Sequence, residues 1–252
     1  MPAPAAPPFI ADFLTESMRL EGTPQERARA RTWLFDIHGL LQSTRDDLAD
    51  FQKPYAHEHA SVSNFVDAIE AVKPTAIIGV STVAKAFNQR VIEAMARINR
   101  RPIIFPYSNP TSHSECSAEE AYRWSDGRAV FASGSPFPLV RWRDRTFVPG
   151  QGNNVYIFPA IGMAVYATNA NRITDEMFIA AAHAVAEEVT DAELDTGLIY
   201  PPQTAIFNTE LHAAERVAEV IFKRDLARVP KPADIGAFIR SRLYKPEYPA
   251  LI

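Results

Sequence analysis

The stretch Phe147–Pro159 reads F-V-P-G-Q-G-N-N-V-Y-I-F-P, two glycines and two adjacent asparagines between apolar flanks. Glycine accepts positive φ and lets another backbone or a ligand come close. An asparagine amide carries a donor and an acceptor but no charge. Two readings are open from these residues. One is a turn that caps a helix at Asn153 or Asn154. The other is a pair of amides that grips a carboxylate or carboxamide. The stretch also divides the chain, because the hydrophobic pattern differs on its two sides.

Upstream, short apolar runs alternate with amphipathic helices. Trp33–Asp36 is an apolar run ending in an acid and reads as a buried parallel strand. Thr75–Ser81 (T-A-I-I-G-V-S), Ile103–Ser108 and Ala129–Ala132 read as further strands. Between them Val62–Val72, Phe87–Ile98 and Ser117–Trp124 have helical periodicity. Ser117 with Glu120 three residues on spells a capping box. Alternation of this kind predicts a right-handed parallel α/β sheet. Downstream of Gly152, Val155–Ala170, Thr174–Val189, Ala205–Arg224 and Pro232–Ser241 all read as helices. Thr174 is the expected cap of the second, with Asp175 and Glu176 suiting its dipole.

At the start, Met1–Pro8 has four prolines in eight residues. That predicts an extended segment and no regular helix. A helix is expected from Phe9 to Glu21, closed by Gly22, and another from Thr23-Pro24. The span His38–Ser61 reads as a long polar connection. It holds His57-Glu58-His59, which could place two imidazoles on one strand face. With no third ligand nearby, a solvated loop is the preferred reading.

Composition narrows the function classes. The chain has 252 residues, 47% apolar and 22% charged, ordinary values for a globular protein. A net charge of −4 gives no basic footprint for nucleic acid. Cys116 is the only cysteine, which excludes an intrachain disulfide and suits a reducing compartment. No apolar run reaches membrane-span length, and the N-terminus does not read as a signal peptide. A cytoplasmic location is expected, with an organelle left open. Neither Gly79–Val83 nor Gly134-Ser135 completes the nucleophile-elbow pattern, so a hydrolase is set aside.

In an open α/β sheet, ligands bind beyond the carboxyl ends of the strands. Those ends read Asp36, Gly79-Val80-Ser81, Ser108-Asn109 and Ser133-Gly134-Ser135, all small or polar. An acid such as Asp36 can hydrogen-bond a ribose.

The runs I-I-F-P-Y-S-N-P-T (Ile103–Thr111), F-A-S-G-S-P-F (Phe131–Phe137), P-G-Q-G-N-N-V-Y-I-F-P and L-I-Y-P-P (Leu198–Pro202) together resemble the cofactor-binding half of a malic enzyme. The resemblance extends from about Phe9 to about Tyr248. It implies a Rossmann-like, doubly wound, mostly parallel sheet, incomplete at its N-terminal edge, with a helical C-terminal layer. Residues 1–8 form a Pro/Ala-rich segment. Residues 9–252 form one NAD(P)-binding domain, whose C-terminal helices begin near residue 154. The family reaction is oxidative decarboxylation of malate to pyruvate and carbon dioxide. The resemblance places Asp36, Gly79, Ser81, Asn109 and Asn153 at the cofactor and Asn109 and Asn154 at the substrate. Gln52-Lys53 falls where the family distinguishes NAD from NADP, and the pair leaves that choice open.

The sequence also departs from the family. Pro2–Pro8 stands where a glycine-rich phosphate loop is expected, and proline can neither donate an amide nor make that turn. Thr82 and Ala84 stand where further glycines are usual, and Lys85 reads either as a phosphate contact or as solvated. The family's catalytic tyrosine and lysine and its Mg or Mn ligands lie in a part of the chain before this one. The expectation is therefore weak or lost NAD(P) binding, no metal ligands and no catalytic residues here. A homo-oligomer or association with a full-length relative is expected. The alternative is a non-catalytic assembly module that pairs with a full-length malic enzyme.

Overall fold

The computed structural model describes residues 6–243. Met1–Ala5, which include the first prolines of the phosphate-loop position, lie outside the described residues. Helix α1 (Ala6–Leu20) starts three residues earlier than the sequence suggests. Pro7 and Pro8 sit in its first turn, where a missing amide hydrogen breaks no intrahelical bond. A short α2 (Gln25–Ala30) follows.

The strand expected at Trp33–Asp36 is corrected by the structure. Only Phe35–Asp36 is extended, as β1, and it pairs antiparallel with β2 (Gly39–Leu40) in a separate hairpin. Gly39 makes that turn with φ of 112°, and a Cβ there would lie 2.2 Å from the Val62 carbonyl oxygen. The connection His38–Ser61 is more ordered than expected. It holds β2, a 3-10 turn at Lys53–Tyr55 and a bridge between Gln42 and His57. His57 Nε2 meets the Thr32 carbonyl at 2.9 Å and its ring packs on Trp33, so this imidazole serves the fold.

The α/β core follows the sequence pattern. Elements α3 (Phe65–Val72), β3 (Ala76–Gly79), α4 (Gln89–Ile98), β4 (Ile103–Pro106), α5 (Ala118–Trp124) and β5 (Val130–Ser133) alternate in order. An antiparallel hairpin, β6 (Val140–Trp142) with β7 (Arg145–Phe147), was not legible beforehand. Nor was β8 (Gly150–Gln151), which lies inside the P-G-Q-G-N-N run and pairs parallel with β5. The sheet order is β3-β4-β5-β8, with every neighbour pair parallel. Ile77, Ile104 and Phe131 from successive strands join Ile69, Ile92, Met95 and Tyr122 from α3, α4 and α5 in one core. Burial of each such side chain contributes about 1.5–3 kcal/mol. The opposite positions Ile78, Ile103 and Phe105 are only half-buried.

The chain divides into two compact units. Among the described residues, one comprises 6–152 with 191–199, the other 153–190 with 200–243. The first unit includes α8 (Asp191–Asp195), whose following residue Thr196 accepts the Val148 amide at its carbonyl. The second unit is helical. Its elements are α6 (Phe158–Thr168), α7 (Asp175–Glu187), α9 (Ile206–Lys223) and α10 (Ile235–Ser241). Alanines 160, 164, 181, 213, 214 and 218 are fully buried where these helices meet. Small side chains there let backbones approach closely. Thr174 occupies the N-cap of α7, but its hydroxyl makes no capping bond and is buried without a partner, contrary to the expected cap.

Candidate functional site

Gly79 ends β3 directly over a buried carboxylate. Glu115 is 0% exposed. The Ser81 amide and hydroxyl donate to its Oε1 at 3.0 and 2.9 Å. The Ser108 hydroxyl donates to the same oxygen at 2.5 Å, and the Ser108 amide reaches Oε2 at 3.3 Å. A Cβ on Gly79 would lie 2.4 Å from Glu115 Cδ. Glycine is thus required at position 79 to admit the Glu115 side chain. The family resemblance places Gly79 at the cofactor, and no motif in the sequence marks Glu115. Its one faint signal was adjacency to Cys116, a residue type usually buried.

The loop from β3 to α4 turns its backbone donors inward. The Thr82 amide donates to Ser108 Oγ at 2.8 Å and the Val83 amide to Ser81 Oγ at 3.2 Å. The Lys85 and Phe87 amides go to the Ser114 and Glu115 carbonyls. Thr82 and Lys85 hold φ of 57° and 63°, the left-handed region that glycine enters without strain. The Lys85 ammonium donates to both Glu120 oxygens at 2.7 Å. Burial would raise the Glu120 carboxyl, but Lys85 and the Ser117 amide and hydroxyl outweigh it and hold the group below its ordinary range.

Asn109 follows β4 in the S-N-P-T run and is exposed. Its Oδ1 accepts from the Ser135 hydroxyl at 2.5 Å, and its Nδ2 makes a long 3.4 Å bond to the Tyr107 carbonyl. The Asn109–Pro110 peptide is cis. Gly134 lies beneath: a Cβ there would come within 2.4 Å of the Tyr107 carbonyl oxygen and 2.6 Å of Asn109 Nδ2. Gln151 Nε2 donates to the Gly134 carbonyl at 3.1 Å. The motifs S-N-P, S-G-S and P-G-Q are therefore knitted into one strand-end surface, with the Asn109 amide at its exposed tip.

Asp36 lies in the β1–β2 hairpin, away from the parallel sheet's strand ends in topology. Its Oδ1 accepts from the His38 amide at 2.8 Å. Arg45 grips it in two parallel bonds, Nη1 to Oδ1 at 2.9 Å and Nη2 to Oδ2 at 2.8 Å. Arg45 also holds Asp47, whose carboxyl its guanidinium lowers to about 2. Gln52 is buried and accepts the Ala49 amide, while Lys53 pairs with Asp50 at 2.6 Å. In the second unit, Asn153 Oδ1 accepts the Val155 amide at 3.0 Å and caps a 3-10 turn at Asn154–Tyr156. Asn154 is exposed. Burial pushes the Cys116 thiol up, so it stays protonated and unreactive. Among the described residues, no group of three or more His, Cys, Asp and Glu is placed to hold a metal ion. No helix of the described residues is long and apolar enough to cross a membrane.

Residues 3–222 match the family model described as malic enzyme, NAD binding domain. The chain belongs to the malic enzyme family. Within that family it is similar to the NADP-dependent malic enzyme of Vitis vinifera, 49% identical over 242 residues, which is 95% of this chain and 41% of that protein. It is 46% identical to the chloroplastic NADP-dependent malic enzyme of Flaveria pringlei, over 37% of that protein. The solved malic enzyme of Entamoeba histolytica aligns over 93% of this chain and 51% of its own, with a TM-score of 0.65 at 20% identity, a likeness of fold. The chain spans about two fifths of the length of the curated malic enzymes it matches.

Proposed function

We propose that this chain is the dinucleotide-binding half of a malic-enzyme-type oxidoreductase, which oxidatively decarboxylates malate to pyruvate and carbon dioxide. The observation that carries this reading is the match of residues 3–222 to the family's NAD binding domain. The strand-end surface supports it. Asn109 presents an Nδ2 donor suited to a carboxamide or a substrate carboxylate, and Ser135 fixes its orientation through Oδ1. Asp36 retains an acceptor site on Oδ2 beyond its Arg45 bond, enough for a ribose hydroxyl. In the second unit, taken by itself, Asn153 and Asn154 are exposed amides of the kind that can hydrogen-bond a carboxamide or a carboxylate. NADP is the favoured dinucleotide, on the printed names of the Vitis and Flaveria relatives.

Phosphate contact is the weak part of the site. In the β3–α4 loop the Ser81 and Phe87 amides are committed to Glu115, the Thr82 amide to Ser108, the Val83 amide to Ser81 and the Lys85 amide to Ser114, and the Lys85 ammonium to Glu120. The dinucleotide, when bound, supplies the hydride acceptor. This chain's residues bind and orient: Asn109 fixes one polar end and Asp36 the other. The described residues do not fit a divalent metal, so no step is assigned to one.

Calorimetric titration with NADPH and NADH tests the reading. The expected result is saturable binding with Kd of about 10 µM or weaker, at least tenfold weaker still in Asn109→Ala and Asp36→Ala. No heat at millimolar ligand, or variants that bind as the parent does, would overturn it.

A further inference from the structure

Among the described residues, Glu115 is the only buried carboxylate. Its partners are all uncharged: the Ser81 amide and hydroxyl and the Ser108 hydroxyl on Oε1, and the Ser108 amide on Oε2. Every one of them donates, which is the set an ionised carboxylate accepts. The backbone aims the two hydroxyls. Ser81 Oγ accepts the Val83 amide and Ser108 Oγ accepts the Thr82 amide, so both hydroxyl hydrogens turn toward Glu115. A buried charge is normally paired with one of opposite sign. Among the described residues no ion pair reaches Glu115, and Lys85, the cation of the β3–α4 loop, is engaged by Glu120 instead.

The place of this charge suggests what it does. Ser81 follows β3 and Ser108 follows β4, so the carboxylate bridges the carboxyl ends of two adjacent parallel strands. An open α/β sheet receives its ligand there. Ser108 also precedes Asn109, the amide suited to a carboxamide. The nicotinamide ring of an oxidised dinucleotide carries one positive charge. Hydride transfer adds two electrons and a proton to that ring and leaves it neutral. The rest of the molecule is common to the two forms. A fixed anion at the ring end of the site therefore favours the oxidised form. Across roughly 10 Å at an effective dielectric of about 20, one unit charge changes a binding constant on the order of tenfold.

We propose that Glu115 sets the redox preference of this site: its uncompensated charge, held in place by Ser81 and Ser108, tilts binding toward NADP+ over NADPH. This role rests on the dinucleotide reading, and it is read from a ratio in which every contact shared by the two forms cancels.

Calorimetric titration with NADP+ and with NADPH gives the ratio of their dissociation constants. The parent chain is expected to hold NADP+ at least as tightly as NADPH. Glu115→Gln, with its fold checked by circular dichroism, is expected to weaken NADP+ by about threefold or more relative to NADPH, whatever it does to both together. Glu115→Asp keeps the charge and is expected to stay within about twofold of the parent ratio. An unchanged ratio in a folded Glu115→Gln would overturn the proposal while leaving the dinucleotide reading intact. Where that variant does not fold, the parent decides, and NADPH bound the tighter would overturn the proposal. Binding of neither form by the parent would remove the dinucleotide reading and this role of Glu115 with it.

Discussion

Gly79 and Glu115 show how one residue choice fixes another. The carboxylate is buried and held by two serine hydroxyls and two backbone amides, so it cannot swing aside for a methyl group. Gly79→Ala is expected to destabilise the fold by about 1–3 kcal/mol through overpacking. Urea denaturation checks this, and an unchanged midpoint would contradict it. Glu115→Gln keeps the shape but turns an amide hydrogen toward groups that donate, at a cost of about 1–3 kcal/mol. Thr82 is the opposite case. A β-branched residue at φ of 57° carries strain, so Thr82→Gly is expected to stabilise by about 1 kcal/mol. None of this was readable in advance. Sequence alone marks Gly79 as special, but the reason lies 36 residues downstream, in a carboxylate that the fold brings beneath it.

Among the elements, local signals were reliable where the chain itself forms the contact. The α5 capping box is present in full: Ser117 Oγ accepts the Glu120 amide at 3.2 Å, and Glu120 Oε2 accepts the Ser117 amide at 2.8 Å. Ser117→Ala should cost about 1 kcal/mol. Lys85 joins this cap to the β3–α4 loop through Glu120, which makes the element sensitive to acid. The Glu120 carboxyl titrates below its ordinary value of 4.5 in the folded chain. Its contribution is therefore complete above that pH and is lost as pH falls through the lower folded value. Thermal melts across this range should show an acid-side slope that Glu120→Gln reduces; an identical slope in the variant would refute the assignment. Trp33–Asp36 misled because an apolar run ending in an acid does not specify its partner. The structure pairs it with Gly39–Leu40 through a left-handed glycine turn. Strand β8 was missed because two residues carry no period.

At the scale of the whole molecule, the alternation of strands and helices and the helical C-terminal part were both legible, since each rests on periodicity summed over many residues. The sheet that results has one face packed by α3, α4 and α5, and its strand-end loops are fastened to one another by Gly134, Ser135 and Gln151. The residues that the motifs singled out divide into two kinds. Gly79 and Ser81 have their contacts inside the fold, whereas Asn109, Asn153 and Asn154 stay exposed. Motif spacing could not separate these kinds, because both carry polar or small side chains at a strand end. Amide chemical-shift mapping during titration with NADPH tests the account most directly. Saturable shifts are expected to concentrate at Asn109, Ser135 and Asp36, with the β3–α4 loop amides from Ser81 to Phe87 little moved. Large, saturable shifts in that loop with Asn109 and Asp36 silent would contradict it.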